Sequence, residues 1–319
     1  VLPSYEHFQA EDSFSERVLA QMLLGVSSRR YPRSLEVPDE AVQACGISKS
    51  SVSRRFVAQS WQLIGEWLSR CLTELTLIGL VIDGIEFGEH TVVAAVGIDE
   101  KGFKHALGVW EGSTENGAVC QALIDNLIER GLDPSRLVLV IIDGSKALHK
   151  VVKQSLGDQV LIQRCQYHKR QNVKGHLPKG MQTMVDLTMR QAYQSDDVQA
   201  ARQILHRLSS RLATSHPGAA ASLREGLDET LTVIELRLPK VLRRSLQTTN
   251  IIESAFSRVR TISGNVKYWR NGRMVLRWAA TGLIEAEKHF HRIKGHQALP
   301  ILIEAFRKHQ GQLDKTHVA

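Results

Sequence analysis

Three acidic residues carry the strongest chemical signal in this 319-residue sequence. Two aliphatic runs end alike, in Val81-Ile82-Asp83-Gly84 and Ile141-Ile142-Asp143-Gly144. A carboxylate placed directly after a buried run faces a desolvation cost unless something pairs with it. If the two runs are neighbouring strands, their carboxylates meet, and divalent cations resolve the repulsion of like charges at close range. Glu253, on a late helix, completes a set of three acids. Oxygen ligands of this kind suit Mg²⁺ or Mn²⁺ rather than zinc. The matching chemistry is two-metal phosphoryl transfer, with two Mg²⁺ ions (Mn²⁺ substituting) and in-line attack by a water or a DNA 3′-hydroxyl. Each acid also has a plainer reading. Asp-Gly is a turn signal, Asp143 could cap the helix that follows, and Asn250-Ile-Ile-Glu253 fits a capping box. Their order, and the elements that carry them, favour a shared metal site.

Those elements are legible in the apolar pattern. Leu77–Phe87, Thr91–Ile98 and His105–Trp110 are strand-like runs separated by short turns, which predicts an antiparallel meander. A helix over 114–130 follows, then Leu137–Ile142, whose unbroken aliphatic character marks a strand buried on both faces. A helix over 145–156 leads to a last strand, Val160–Arg164. The order β-β-β-α-β-α-β predicts an α/β fold, an RNase H-like mixed five-stranded sheet with its first and fourth strands side by side. Residues 170–245 contain no strand pattern and read as an all-α insertion, before a helix over Ile251–Thr261 and a basic helical stretch over 272–310. The expected organisation is a helical DNA-binding region over 1–74, the first part of the core over 75–169, the insertion over 170–245, and the last site helix with a basic tail over 246–319.

Basic residues lie around this frame in three places. After a helix over residues 16–27, Pro38-Asp39-Glu40 opens a short helix, Cys45-Gly46 ends it, and Ser48 caps another over Lys49 to about Ala58. This is a helix-turn-helix pattern over about 38–59, with Lys49, Ser50, Ser51, Arg54 and Arg55 where a recognition helix meets phosphates and base edges. A separate amphipathic helix carrying Trp61, Ile64, Trp67 and Leu68 follows, with its aromatics in the core. The run Arg164–Lys174 holds four Lys/Arg and no acid. Its His168, Lys169, Arg170 and Lys174, together with Lys146, are expected beside DNA. From Arg237 to Lys294 bases far outnumber acids, and Arg258, Arg260, Lys267 and Arg270 are expected on phosphates, with Trp269 and Trp278 assigned to the core. Cys165 and His168 have ligand-like spacing, but no second Cys/His pair completes a four-ligand zinc site, so a structural or DNA-orienting pair is the reading.

Composition bounds the partners. A formal net charge of +8 favours polyanions, because each cation set against a phosphate releases condensed counterions. The sequence contains no stretch of roughly 18 apolar residues able to span a bilayer, and residues 1–20 lack a signal-peptide pattern. Its four scattered cysteines suit a reducing compartment, which points to the cytoplasm. The absence of an initiator Met points to a piece of a longer chain. A non-catalytic DNA-binding protein would keep the basic clusters while the acids served as turns and caps. An aspartyl-phosphate hydrolase would not need the meander or Glu253, and another nuclease of the same fold is not separated from transposition by these residues alone.

The combination of LVIDG, IIDGSKAL, RCQYHKRQNV and TTNIIESAFSRVR resembles the Mutator-type bacterial insertion-sequence transposases over residues 16–295. The resemblance implies that Asp83, Asp143 and Glu253 are the metal-binding acids, and that Cys165, His168 and Asn250 belong to the family signature. It also implies that SKSSVSRR is the DNA-binding helix. Cleavage of the element's ends, strand transfer, Mg²⁺ dependence, double-stranded DNA with terminal inverted repeats, target DNA and a multimeric synapse follow as expectations. Family members carry more N-terminal DNA-binding sequence than stands here, and a bacterial, nucleoid-associated setting is expected.

Overall fold

Nothing between Ala58 and Trp61 breaks a helix, and a single helix runs through them. The computed structural model describes residues 13–34, 48–112, 117–136, 138–157 and 159–317. In it α1 (Ser13–Leu23) is followed by a short 3₁₀ turn and then by α2 (Lys49–Ser69), which merges the two helices expected on either side of residue 58. Ser60 sits mid-helix, buried, with its hydroxyl satisfied by donating back to the Phe56 carbonyl. Ser48 caps α2 as predicted, accepting from Ser51 N at 3.2 Å. The helix expected over 38–47, the first half of the helix-turn-helix pattern, lies outside the described residues.

The aliphatic runs then build one five-stranded sheet. β1 (Leu77–Phe87), β2 (His90–Asp99) and β3 (Lys104–Gly112) form the antiparallel meander. Helix α3 (Gly117–Glu129) leads to β4 (Leu139–Ile142), and α4 (Lys146–Leu156) leads to β5 (Leu161–Arg164), both strands joining in parallel. The order is β3-β2-β1-β4-β5, so the first and fourth strands are neighbours. Beyond β5 come α5 (Gln166–Gly175), α6 (Lys179–Gln194), α7 (Val198–Ala213), α8 (Pro217–Arg224), α9 (Thr232–Glu235), α10 (Lys240–Leu246), α11 (Asn250–Ser263), α12 (Gly272–Glu287) and α13 (Leu299–His317).

Because side chains alternate along a strand, the sheet has two unlike faces. Leu80 and Ile82 of β1 and Val140 and Ile142 of β4 pack with Leu123 and Leu127 of α3 and Leu148 and Val152 of α4. Val81, Ile85 and Phe87, with Leu139 and Ile141, pack the other way, against Ile252, Ala255 and Phe256 of α11 and Val275 and Ala279 of α12. The helices between β5 and α11 share that second core through Val173, Val185, Leu205, Leu223 and Leu242. Helix α2 also bridges regions: Val52 and Phe56 pack with Val18, Ile262 and Trp278, whereas Ile64 and Trp67 enter the sheet core. Buried Arg130 rivets this junction, donating to the carbonyls of Arg70, Leu107 and Trp67 at 2.9, 2.7 and 3.2 Å.

Candidate active site

Strand register brings the first two acids together. Ile82 and Ile142 are direct partners in the parallel β1–β4 pair, so Asp83 and Asp143 are the next residues on adjacent strands, whose spacing is roughly 4.8 Å. Asp83 shares the face of Val81 and Ile85, the face that α11 covers, and is buried to 6% exposure. Glu253 stands in the first turn of α11, half-exposed above that face. All three acids line one cleft of about 710 Å³ together with Glu86, Glu89, His168 and Arg260.

Local hydrogen bonds set aside some plainer readings of these acids and keep one, since Asp143 closes an Asx turn. Asp83 Oδ1 accepts from Gly84 N at 2.9 Å and remains inside β1, which continues to Phe87, so it closes no turn. Asp143 Oδ1 accepts from Ser145 N at 2.8 Å, while Ser145 is the residue that caps α4. Helix α11 is capped by Thr249 rather than Asn250. Glu253 Oε1 accepts from the Thr249 hydroxyl at 2.8 Å, not from a capping backbone N–H, so the capping-box arrangement does not form. Asn250 is exposed beside it.

The electrostatics record how closely the charges are set. Burial, then the neighbouring Asp143 carboxylate, pushes Asp83 up to about 7, against the opposing pull of His168 and of the hydrogen bonds from Gly84 and Thr249. His168 rises to about 9, chiefly through its pairing with the Cys165 sulfur, then through Asp83 and Glu253, while burial opposes the rise. Its Nε2 stands 3.7 Å from Glu253 Oε1. Burial pushes the Cys165 thiol up, but the donors of His168 and Thr249 outweigh it and leave the thiol below its ordinary value. Thr249 is the node that sequence reading passed over. Fully buried, it meets Glu253 through its hydroxyl and Cys165 Sγ through its N–H and hydroxyl at 3.4 and 3.5 Å. Its signals in the sequence are its place in the TTNIIES run and its position four residues before Glu253, one helical turn away.

Arg164 holds the Asp143 loop from below. Its buried guanidinium donates to Gly144 O at 2.8 Å and Glu225 O at 3.1 Å and stands 3.8 Å from both the Glu225 and Glu229 carboxylates. Gly226 has φ +58°, and a Cβ there would strike that guanidinium. His149 of α4 adds a 2.6 Å contact to Glu229.

The basic residues divide by what they touch. Lys169 is buried at 4% exposure, and its ammonium donates to Ser222 O and Glu225 O at 2.7 and 2.5 Å; burial lowers its pKa to about 8. Arg170 and Lys174 reach Asp186 of α6 at 3.1 and 3.8 Å. Arg55 donates to Ser15 of α1 at 3.0 Å. The first two of these groups therefore hold helices together, since a phosphate would have to displace an internal partner, and Arg55 joins α2 to α1. Lys146 is exposed, with Glu225 at 3.9 Å. Lys49, Ser50 and Arg54 are exposed and Ser51 is half-buried at the start of α2. Arg258, Arg260, Lys267 and Arg270 are exposed, and Arg260 opens into the cleft itself. Trp278 is buried against Phe56, ring centroids 4.8 Å apart, and Trp269 packs edge-on to Phe87 at 5.1 Å. No helix among the described residues is long and apolar enough to cross a membrane.

Comparison with known proteins adds an independent line. The chain is similar to the transposase for insertion sequence element IS6120 of Mycolicibacterium smegmatis, 26% identical over 75% of this chain and 73% of that protein. It is 26% identical to the transposase for IS256 in transposon Tn4001 of Staphylococcus aureus over 80% of this chain and 66% of the relative. A third relative, the transposase for IS1081 of Mycobacterium tuberculosis, is 26% identical over 91% of this chain and 69% of its own length. The chain thus spans about two thirds to three quarters of these relatives. Residues 2–292 match the family described as transposase, Mutator family, and with nearly the whole chain covered the protein belongs to that family.

Proposed function

We propose that the protein is the catalytic portion of an insertion-sequence transposase with an RNase H-like core, and that Asp83, Asp143 and Glu253 are its metal-holding acids. The observation that carries this reading is the parallel register of Ile82 with Ile142, which sets Asp83 of β1 beside Asp143 at the end of β4, in one cleft with Glu253. The donor set fits hard divalent cations: three carboxylates in one cleft, one of them pushed up to about 7 partly by its neighbour's charge. Bound there, Mg²⁺ or Mn²⁺ supplies Lewis-acid activation and charge stabilisation for in-line displacement at a DNA phosphodiester.

The chain's own residues prepare that event. Gly84 N and Ser145 N each fix one oxygen of an aspartate, and Thr249 fixes one oxygen of Glu253. Arg260, at the cleft wall, is placed to hold a phosphate next to the scissile one. Arg258, Lys267 and Arg270 extend the positive surface along and beyond α11, where a duplex end would lie. Lys49, Ser50, Ser51 and Arg54 at the start of α2 offer a second DNA contact. Joining two element ends to a target calls for at least two copies of the chain. The test is strand cleavage of DNA carrying the element's ends with Mg²⁺: the wild type nicks, and Asp83→Ala, Asp143→Ala and Glu253→Gln each bind DNA without nicking it.

A further inference from the structure

Cys165, His168 and Glu253 come from three separate places, the end of β5, the first turn of α5 and the first turn of α11, and each offers a ligand atom within 4.8 Å of the others. Thiolate, imidazole and carboxylate together are a borderline-soft donor set, unlike the all-oxygen set of the three acids. Zinc sites that keep an open position use three protein ligands of these types, at about 2.0–2.3 Å in tetrahedral array. Those lengths imply ligand-to-ligand edges of roughly 3.3–3.7 Å, and the His168 Nε2 to Glu253 Oε1 separation is already 3.7 Å.

A further feature favours a cation at this spot. The sulfur is turned towards donors, with Thr249 N at 3.4 Å and the Thr249 hydroxyl at 3.5 Å, the outer-shell support that holds a metal-bound thiolate in place. Sequence spacing alone shows only a Cys-x-x-His pair; the third ligand arrives from α11, 85 residues after His168.

We propose that Cys165, His168 and Glu253 form a binding site for a Zn²⁺-class transition metal, distinct in chemistry from the Mg²⁺-class set. Glu253 belongs to both. Occupation by zinc withdraws it from the other acids, so zinc inhibits the Mg²⁺-dependent reaction; this consequence alone rests on the proposed function.

Titration of the metal-free full chain with Co²⁺ tests the site without DNA or turnover. The expected result is a near-ultraviolet thiolate-to-cobalt charge-transfer band with four-coordinate visible bands, displaced by Zn²⁺, not displaced by Mg²⁺, and lost in Cys165→Ser. Glu253→Gln keeps the Thr249 contact available and provides the second variant if Cys165→Ser does not fold; it weakens Co²⁺ binding by at least about tenfold. A wild-type spectrum without the charge-transfer band overturns the proposal. So does a band that persists in folded Cys165→Ser, which would belong to another cysteine, or unchanged affinity in Glu253→Gln. Because the cobalt spectrum does not depend on cleavage, loss of the transposase reading and loss of this site are read separately.

Discussion

Asp83 holds the site's tension in a single side chain. Its pKa of about 7 lies above the ordinary 3.8, so in the metal-free protein the fold favours the protonated form. The stability this contributes is present below about pH 4 and is lost as the pH rises through about 7. Asp83→Asn, neutral throughout, should therefore match the wild type at pH 4 and exceed it at pH 7.5. A shift of this size corresponds to ~4 kcal/mol at most. His168, raised to about 9 partly by Asp83, loses its anion in the same variant, so a gain of ~1–2 kcal/mol is expected. Thermal melts with and without Mg²⁺ check this: the variant melts higher without metal, while Mg²⁺ raises the wild-type midpoint more than the variant's. A lower midpoint for Asp83→Asn at pH 7.5 would contradict the charge account. Thr249→Val, nearly isosteric, removes the hydroxyl from Glu253 and should raise the Mg²⁺ concentration for half-maximal cleavage roughly 10–100-fold. Titration of cleavage rate against Mg²⁺ reads this, and an unchanged requirement would leave Thr249 only a packing role.

Among the elements, what sequence could say was set by how local each cause is. Apolar runs such as Leu139–Ile142 and Leu77–Phe87 are local, and they announce the sheet and the two aspartates that follow Ile82 and Ile142. The Arg164–Lys174 run shows the opposite case. Its charge is visible, but the partners that absorb it, Asp186 on α6 and the carbonyls of Ser222 and Glu225, lie 12 to 56 residues away in sequence. Helix α2 runs unbroken through Ala58, where nothing in the composition marks an end. The Arg164 strut is likewise a non-local device, and it carries a prediction. Gly226→Ala must move the guanidinium and adopt a positive φ, costing about 1–2 kcal/mol for the backbone alone. We expect DNA affinity within about twofold of wild type and cleavage reduced by at least about tenfold as the Asp143 loop loses its prop. A destabilised variant with wild-type cleavage per folded molecule would show that Arg164 supports the fold alone.

For the whole molecule, the excess of eight positive charges must be assigned to a surface. The exposed basic residues of α11 and the segment after it are the candidates: among the described residues Arg258 touches only the exposed His289 and Lys267 only the Gly264 carbonyl, whereas Lys169, Arg170 and Lys174 are tied to backbone carbonyls or to Asp186. Replacing Arg258 and Arg260 together by Gln should weaken DNA binding across sequences and flatten the slope of log K against log salt by up to about 0.9 for each lost phosphate contact. Arg170→Gln should cost stability while leaving that slope unchanged.

The central claim, that Asp83, Asp143 and Glu253 act as one metal-dependent centre for DNA strand chemistry, is tested most directly by nicking of element-end DNA. Wild type and Asp143→Ala would be compared with Mg²⁺, with Mn²⁺ and with chelator. The account predicts nicking by the wild type with either cation and none with chelator, and DNA binding without nicking by Asp143→Ala. Nicking that survives in Asp143→Ala, or that persists in chelator, would contradict it.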